Sequence, residues 1–592
     1  MKSYLKGRKP NYDKVPFVEV KGFENDCVTG WEDICTRIND EIEQLNKDNC
    51  VIAVEFYPCV NEDEIITALK KSLKVNQFQN AEEAMKSEAE IDELTYQDVT
   101  DDDIFGFLTR LNLDEFYDAE KLRALKTELD SNSGVTIVYG TGAALVAPEC
   151  DLLIYADMPR WEGQLRQRRN EVSNMGVNNK ELKASLQYKR SFFVDWRVCD
   201  RLKRTLLNKM DLVLDTVIPN QPKMVSGDAI RSGLKESTNR PFRVVPFFDP
   251  GPWGGQWMKE VCDLDKEPEN YAWCFDCVPE ENSLNLKFGE SLFELPSINL
   301  VFQHPRELLG DAVHGRFGDE FPIRFDFLDT MQGGNLSLQV HPLTEYIQQK
   351  FGIPYTQDES YYMLEAEDDA VVYLGLKNGA NPDEVIKDLK HAQDTGEEFD
   401  AEKHIGVWPV KKHDHVLIPA GTIHCSGSNS MVLEISATPY IFTFKLYDWG
   451  RMGMDGKPRP INIEHGKKVI QWERDEDWTR NNIVDQVEAI ANGDGWREER
   501  TGLHNREFIE TRRHWFTKKV MHNTDAGVNV LNLIEGAEAI VESPTNAFEP
   551  YVVHYAETII VPANVGEYTI RPFGESEGKE IATLKAYVRN NC

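Results

Sequence analysis

The sequence predicts a multidomain chain in which an α/β unit with a parallel sheet comes first and mainly-β units follow. Up to about residue 240, apolar strand-like runs alternate with helical stretches, the pattern of a parallel sheet covered on both faces. From about Pro241 the pattern changes to short strands separated by turns, as in sandwiches and barrels. At 592 residues the chain is also too long for one core. The implied division is 1–240, 241–505 and 506–592.

In the first unit, an amphipathic helix is expected around Trp31–Leu45 and a buried strand at Val51–Phe56. A helix from about Glu62 to Leu73 follows the turn at Pro58. The acidic stretch Glu82–Asp103 reads as a solvated helical face and connector. Further buried strands are expected at Val135–Tyr139, ending in Gly140-Thr141-Gly142, and at Asp151–Ala156, ending in Asp157-Met158-Pro159-Arg160. Asn220–Arg240, polar and punctuated by Pro, Gly and Ser, reads as a linker or terminal helix.

From Arg160 to Lys209 the charge balance reverses, with 13 Lys or Arg against five Asp or Glu, and Arg160, Arg166, Arg168 and Arg169 share one expected helix. Ligands of α/β folds sit at the carboxyl ends of strands, where anions meet helix N-termini. This cluster and Gly140–Gly142 are therefore the candidate position for an anion or nucleotide. The alternative is a basic face packed on the acidic remainder. The order of elements and the basic helix resemble P-loop kinases of the uridine-kinase type. Where their phosphate loop would lie, Glu55-Phe56-Tyr57-Pro58-Cys59-Val60-Asn61-Glu62 has no glycine and no Lys followed by Ser or Thr. The resemblance thus implies a kinase-like fold without phosphoryl transfer.

Composition excludes several classes. The net charge of −34, from 66 basic and 100 acidic residues, disfavours duplex nucleic acid as a partner. No run of about 18 apolar residues is present, so no membrane span is expected. The first residues, Met1 to Pro10, lack the apolar core of a signal peptide. The 11 cysteines are scattered and odd in number, which fits reduced thiols and a cytoplasmic setting. Cys274 and Cys277 have redox spacing but are read as two ordinary thiols.

All 13 histidines lie between His304 and His554, so a histidine-ligated metal must belong to the second half. The sharpest constellation there runs from Gly334 to His424. Ser337, Gln339 and His341 alternate along one face of an expected strand, with Leu338 and Val340 on the other. Pro419-Ala420-Gly421 has the chemistry of a tight turn and leads to His424, before an expected strand at Met431–Ile435. Two imidazoles (His341, His424), the Glu359 carboxylate and the Gln339 amide oxygen make a donor set suited to Zn²⁺ with an open position.

These segments resemble class I mannose-6-phosphate isomerases, which are zinc-dependent cupin enzymes. The resemblance starts at Phe247-Phe-Asp-Pro-Gly-Pro-Trp-Gly-Gly255 and continues through Phe321-Pro-Ile-Arg-Phe325, Leu328-Asp329 and Leu336–Pro342. It goes on through Gly421-Thr-Ile-His424, Thr443–Arg451 and Asp455–Pro460, and covers residues from about 241 to 592. It implies Gln339, His341, Glu359 and His424 as zinc ligands and Glu434 as the proton-transferring acid. It also implies Lys445 as the cation that stabilises developing charge or shuttles a proton, with Arg451 as a second cation. Residues 506–592 resemble the family's second cupin half, without a histidine after the turn, and are read as metal-free.

Two positions depart from the family. Gln357 stands where a lysine helps hold the sugar phosphate, and Lys445 stands where the family has arginine. Lysine keeps the charge and loses the planar two-point fork. The implied activity is interconversion of mannose 6-phosphate and fructose 6-phosphate. The rivals are a zinc cupin isomerase or epimerase of an unphosphorylated sugar, and a sugar-sensing protein that binds without turnover.

Overall fold

The computed structural model describes residues 3–589 except 439, 441, 453–458, 503 and 505. Asp455–Pro458 of the Asp455–Pro460 segment and the last three residues therefore lie outside the described residues.

Seven strands make the first sheet: β1 (Val28–Thr29), β2 (Cys50–Phe56), β3 (Gln77–Asn80), β4 (Val135–Gly140), β5 (Leu152–Asp157), β6 (Leu212–Asp215) and β7 (Lys223–Ser226). Their order is β1-β7-β6-β5-β2-β4-β3. The five from β3 to β6 are parallel, and β7 and β1 close one edge antiparallel. The central strands are buried almost throughout, as a sheet covered on both faces requires. Lys223–Ser226, inside the stretch expected as linker or helix, is a strand between β1 and β6, because Met224 and Val225 are fully buried in the sheet. The helix Gly227–Ser237 follows it.

The polar groups expected to receive an anion are occupied by the chain itself. Glu55, at the end of β2, accepts from Gly142 N–H and Ala144 N–H, both at 2.7 Å, and Glu82 accepts from Thr141 N–H at 3.0 Å. Burial pushes the Glu55 carboxyl up to about 8, against the pull of those two amides. Arg160 bonds Asp200 and Glu280, and Arg166 bonds Glu162 together with the carbonyls of Cys59, Thr216 and Val217. Arg168 grips both oxygens of Asp249 at 3.0 Å, and Arg169 bridges Glu162 and Glu171. The expectation of an anion or nucleotide here gives way to the alternative: the buried Arg160 and Arg166 need internal partners and have found them, and the half-exposed Arg168 and Arg169 are ion-paired as well.

The middle of the chain folds as two facing antiparallel sheets. Its strands are β8 (Phe247–Asp249), β9 (Trp273–Cys277), β10 (Arg324–Asp329), β11 (Leu338–Val340), β12 (Glu359–Ala366), β13 (Val371–Leu376), β14 (Ile405–Pro409), β15 (His415–Ile418), β16 (His424–Ser426), β17 (Ser430–Ser436) and β18 (Phe444–Tyr447). One sheet has the order β15-β12-β17-β10-β9-β8 and the other β14-β13-β16-β11-β18. Alternation decides what faces the space between them. Along β10, Arg324, Asp326 and Leu328 line a cavity, while Phe325 and Phe327 are fully buried on the opposite face. Ser337, Gln339 and His341 line the same cavity, and Leu338 and Val340 point away from it into the core.

The last part is again two sheets, one of six strands and one of four. The six-stranded sheet takes in Glu488–Gly493 and Trp496–Gly502, ahead of the expected start near residue 506.

The units share one hydrophobic core that runs from Tyr4 to Val588, with a smaller second cluster around Phe516 and Ile581. Phe105 of the first unit packs on Phe351, Phe442 and Phe444, behind β18. Val18–Glu19 pairs in parallel with Leu286–Lys287 of the Ser283–Phe288 strand, so the N-terminal arm is part of a middle-unit sheet.

Candidate metal centre and its cavity

Glu359 opens β12 in one sheet, while Gln339 on β11 and His424 at the start of β16 are directly paired in the other. His341 follows β11 by one residue. The side chains of His341, Glu359 and His424 converge, each no more than 1% exposed. His341 Nε2 lies 3.1 Å from Glu359 Oε2, and His424 Nε2 lies 2.8 Å from Glu359 Oε1. The other ring nitrogen of each faces a backbone carbonyl: His341 Nδ1 is 2.9 Å from Phe442 O, and His424 Nδ1 is 2.9 Å from Thr422 O. A carbonyl can only accept, so Nδ1 carries the proton and Nε2 presents its lone pair inward. Both Nε2 atoms and Glu359 Oε1 are buried without a hydrogen-bond partner among the described residues. Two outward-anchored imidazoles and a carboxylate aimed at one point fit a divalent metal. Burial pushes the Glu359 carboxyl up, and when the two imidazoles are protonated their charge overcomes this and holds it well below the usual carboxylate range.

The turn that delivers His424 is held from three sides. Asp358 accepts from Ala420 N–H at 2.7 Å, Gly421 N–H donates to His341 O at 2.9 Å, and Arg474 donates to the carbonyls of Pro419 and Ala420 at 2.9 and 2.8 Å. Gly421 has φ +87°, and a Cβ there would stand 2.7 Å from Gln471 and 2.8 Å from the Val469 carbonyl. Glycine is required on both counts.

A second group of carboxyls adjoins the donors. Glu434 on β17 is paired with Asp326 on β10 and with Tyr361 on β12. Burial, with the charges of Glu359 and Asp326, pushes the Glu434 carboxyl well above its usual range. Asp326 is pushed up to about 7, by burial first and then by Glu359, against the opposing charge of Arg324. Gln357 ties the two groups together: its amide donates to Glu359 at 2.7 Å and to Glu434 at 3.2 Å, and its carbonyl accepts from Phe442 N–H at 3.0 Å.

Lys445, on β18 opposite Gln339, lines the cavity from the other sheet. Burial and then the charge of Arg459 bring its ammonium down to about 8. Arg451 does not line the cavity. It is spent on Asp448, at 3.1 Å, and on the Asn335 carbonyl. Of the two arginines beside Asp448, Arg459 reaches the cavity wall, with Nη1 2.8 Å from Asp448. The cavity, of about 320 Å³, thus brings together Gln339, His341, Glu434 and Lys445, next to the buried Glu359 and His424.

Sequence reasoning did not single out Arg324, Asp326, Gln164 or Tyr188, all of which line this cavity. Two charges at i and i+2 within an otherwise apolar strand were a readable signal for Arg324 and Asp326. Gln164 and Tyr188 belong to helices of the first unit and reach the cavity only through tertiary packing, for which the sequence carries no signal.

Residues 30–239 match the Domain of unknown function DUF8485. Mannose-6-phosphate isomerase ManA of Bacillus subtilis is 25% identical to the chain over 242 residues, which is 40% of this chain and 69% of that protein. A mannose-6-phosphate isomerase of Streptococcus mutans is 26% identical over 220 residues, 37% of this chain and 64% of that protein. The crystal structure of the B. subtilis mannose 6-phosphate isomerase superposes with a TM-score of 0.48 at 17% identity, over 59% of this chain and 99% of that one. Over about two fifths of its length the chain is similar in sequence to mannose-6-phosphate isomerases.

Proposed function

We propose that the chain is a metal-dependent aldose–ketose isomerase that interconverts mannose 6-phosphate and fructose 6-phosphate by moving a proton between C1 and C2. The observation that carries this reading is one cavity holding a buried His–Glu–His donor set, a separate buried carboxyl (Glu434) and a cation from the facing sheet (Lys445). In this reading Gln339, His341, Glu359 and His424 hold Zn²⁺. Zinc bound there supplies Lewis acidity toward a carbonyl oxygen.

The chain's own residues do the rest. Glu434 takes the proton from one carbon and returns it to the other; a carboxylate whose pKa is raised toward neutrality is a stronger base than an exposed one. Gln357 fixes its position, as the amide bonded to both Glu434 and Glu359. Lys445 faces the negative charge that develops on the substrate oxygens. Arg451, expected as the second cation, orients Asp448 instead, and Arg459 takes the cavity position. Among the described residues, Lys445, Arg451 and Arg459 gather around one carboxylate, Asp448, and this gathering of cations favours a phosphorylated substrate. An unphosphorylated sugar is the second reading, favoured by the neutral Gln357 between two carboxyls.

For the first unit, a kinase-like fold without phosphoryl transfer remains the reading; the parallel strand order supports it, and the internal use of the Gly142 and Ala144 amides argues against a bound phosphate. Unit boundaries near 240 and 487, and a cytoplasmic setting, belong to the same proposal.

Two variants test it. His424→Ala loses bound zinc, with affinity down by more than about a hundredfold. Glu434→Gln keeps the metal and slows proton exchange at C1 and C2 by about 10²–10⁴-fold. Metal retained in His424→Ala, or full exchange in Glu434→Gln, would remove the assigned residue from its role.

A further inference from the structure

One wall of the cavity is built by both units of the chain. Gln164 from the Arg160–Arg168 helix and Tyr188 from the Ala184–Arg190 helix line it together with Arg324 and Asp326 of β10. The first unit is fixed against this wall by several bonds. Trp161 donates to Ser283 at 2.8 Å, Gln164 to Glu281 at 2.8 Å, Arg168 to Asp249 at 3.0 Å, and Arg197 to Glu280 at 2.9 Å.

Several polar atoms in this wall have no partner among the described residues. Arg324 is 2% exposed, and only its Nη2 is used, on Asp326; its Nε and Nη1 are buried and unpaired, as is Asp326 Oδ1. Tyr188 and Gln164, both half-buried, line the same space and bring a hydroxyl and an amide to it. Leaving buried donors and acceptors unmade is costly, and in native proteins such groups are matched by a ligand or solvent. The set is mixed, with two donors on Arg324, acceptors on Asp326 and Gln164, and a hydroxyl that does either. It has no spare positive charge, since Asp326 balances Arg324, Asp249 balances Arg168, and the Glu281 carboxyl faces the same space. A phosphate would meet carboxylates here, whereas sugar hydroxyls both donate and accept. Trp273, half-buried and packed edge to face on the fully buried Trp253 at 4.7 Å, brings apolar surface to the same cavity for the C–H face of a sugar ring.

We propose that the N-terminal α/β unit completes the sugar site: Gln164 and Tyr188, with Arg324 and Asp326, form a subsite that recognises hydroxyls of the ligand. This rests on the sugar-isomerase reading above, and it makes the first unit a specificity-determining part of the site.

The test uses the full chain and two variants that remove hydrogen bonds while keeping shape, Tyr188→Phe and Gln164→Leu. With mannose 6-phosphate as the probe, each raises KM about tenfold and leaves kcat within about twofold, the signature of lost uniform binding. Melting temperatures matching the parent separate this from a folding defect, and a rise in either variant is sufficient. An unchanged KM in both, in a chain whose parent turns the probe over, overturns the subsite and leaves the isomerase reading intact. If the parent turns over nothing, calorimetry with mannose and mannose 6-phosphate decides. Binding by the parent that is weakened about tenfold in the variants supports the subsite apart from catalysis. No binding of either probe by the parent overturns both readings.

Discussion

Lys445 is the residue whose chemistry is most exposed to a simple test. Its ammonium is held near 8 by burial and by the positive charge of Arg459 and Arg451. The charged form is the working one in the proposed reaction, so kcat/KM falls as pH rises through about 8. Lys445→Arg keeps its charge to far higher pH, and the falling limb moves up by more than one unit. An unshifted limb in this variant assigns the titration to another group. The stability sign runs the other way. A lysine whose folded pKa lies below its unfolded value makes the fold less stable while it is charged in both states. That cost is relieved between about pH 8 and the ordinary lysine pKa.

At the same scale, what the sequence made legible follows from spacing. Ser337, Gln339 and His341 at every second position could be assigned to one face, and the cavity takes all three. Asp326 and Gln357 were not legible as partners of Glu434. Asp326 meets it through register across two strands and Gln357 through a loop, and no periodicity within one strand encodes either contact. Arg451 and Arg459 illustrate the same limit: both are arginines near Asp448, and only the chain path decides which one reaches the cavity.

At the scale of elements, the Pro419–Thr422 turn carries His424 into place. Its geometry was readable from Pro and Gly, whereas its support by Asp358 and Arg474 was not. Asp358, next to the ligand Glu359 in sequence, serves as a cap for the turn. Gly421→Ala introduces strain at positive φ and a contact under 3 Å with the Val469 carbonyl. It is expected to lower stability by about 1–3 kcal/mol and to weaken metal binding with it. Thermal melts with and without zinc check both effects; a neutral substitution would mean that the turn is not rigidly held. In the first unit, the long apolar strands β2, β4 and β5 were evident from sequence. The short strand β7 was not, since two buried residues in a polar stretch give little signal.

For the whole molecule, the continuous core is the dominant fact. Phe105 packs behind the strand bearing Lys445, Arg160 is buried between Asp200 and Glu280, and the N-terminal arm adds a strand to the Ser283–Phe288 sheet. The first two units therefore unfold in one cooperative step, read by calorimetry as a single transition to which both contribute. A separate, earlier transition for residues 1–240 would show that the shared core is weaker than its burial implies. The sequence made the change of architecture near Pro241 clear but left the fusion of the cores hidden, because apolar residues do not declare which unit they face.

The central claim is tested most directly by zinc-loaded protein offered mannose 6-phosphate and mannose side by side in deuterated water, followed by NMR. The account predicts conversion of mannose 6-phosphate to fructose 6-phosphate with deuterium entering at C1 or C2, and loss of both in His424→Ala. Turnover of mannose alone would transfer the protein to the second reading. Bound zinc with neither conversion nor deuterium uptake for either sugar would contradict the claim that this cavity is an isomerase site.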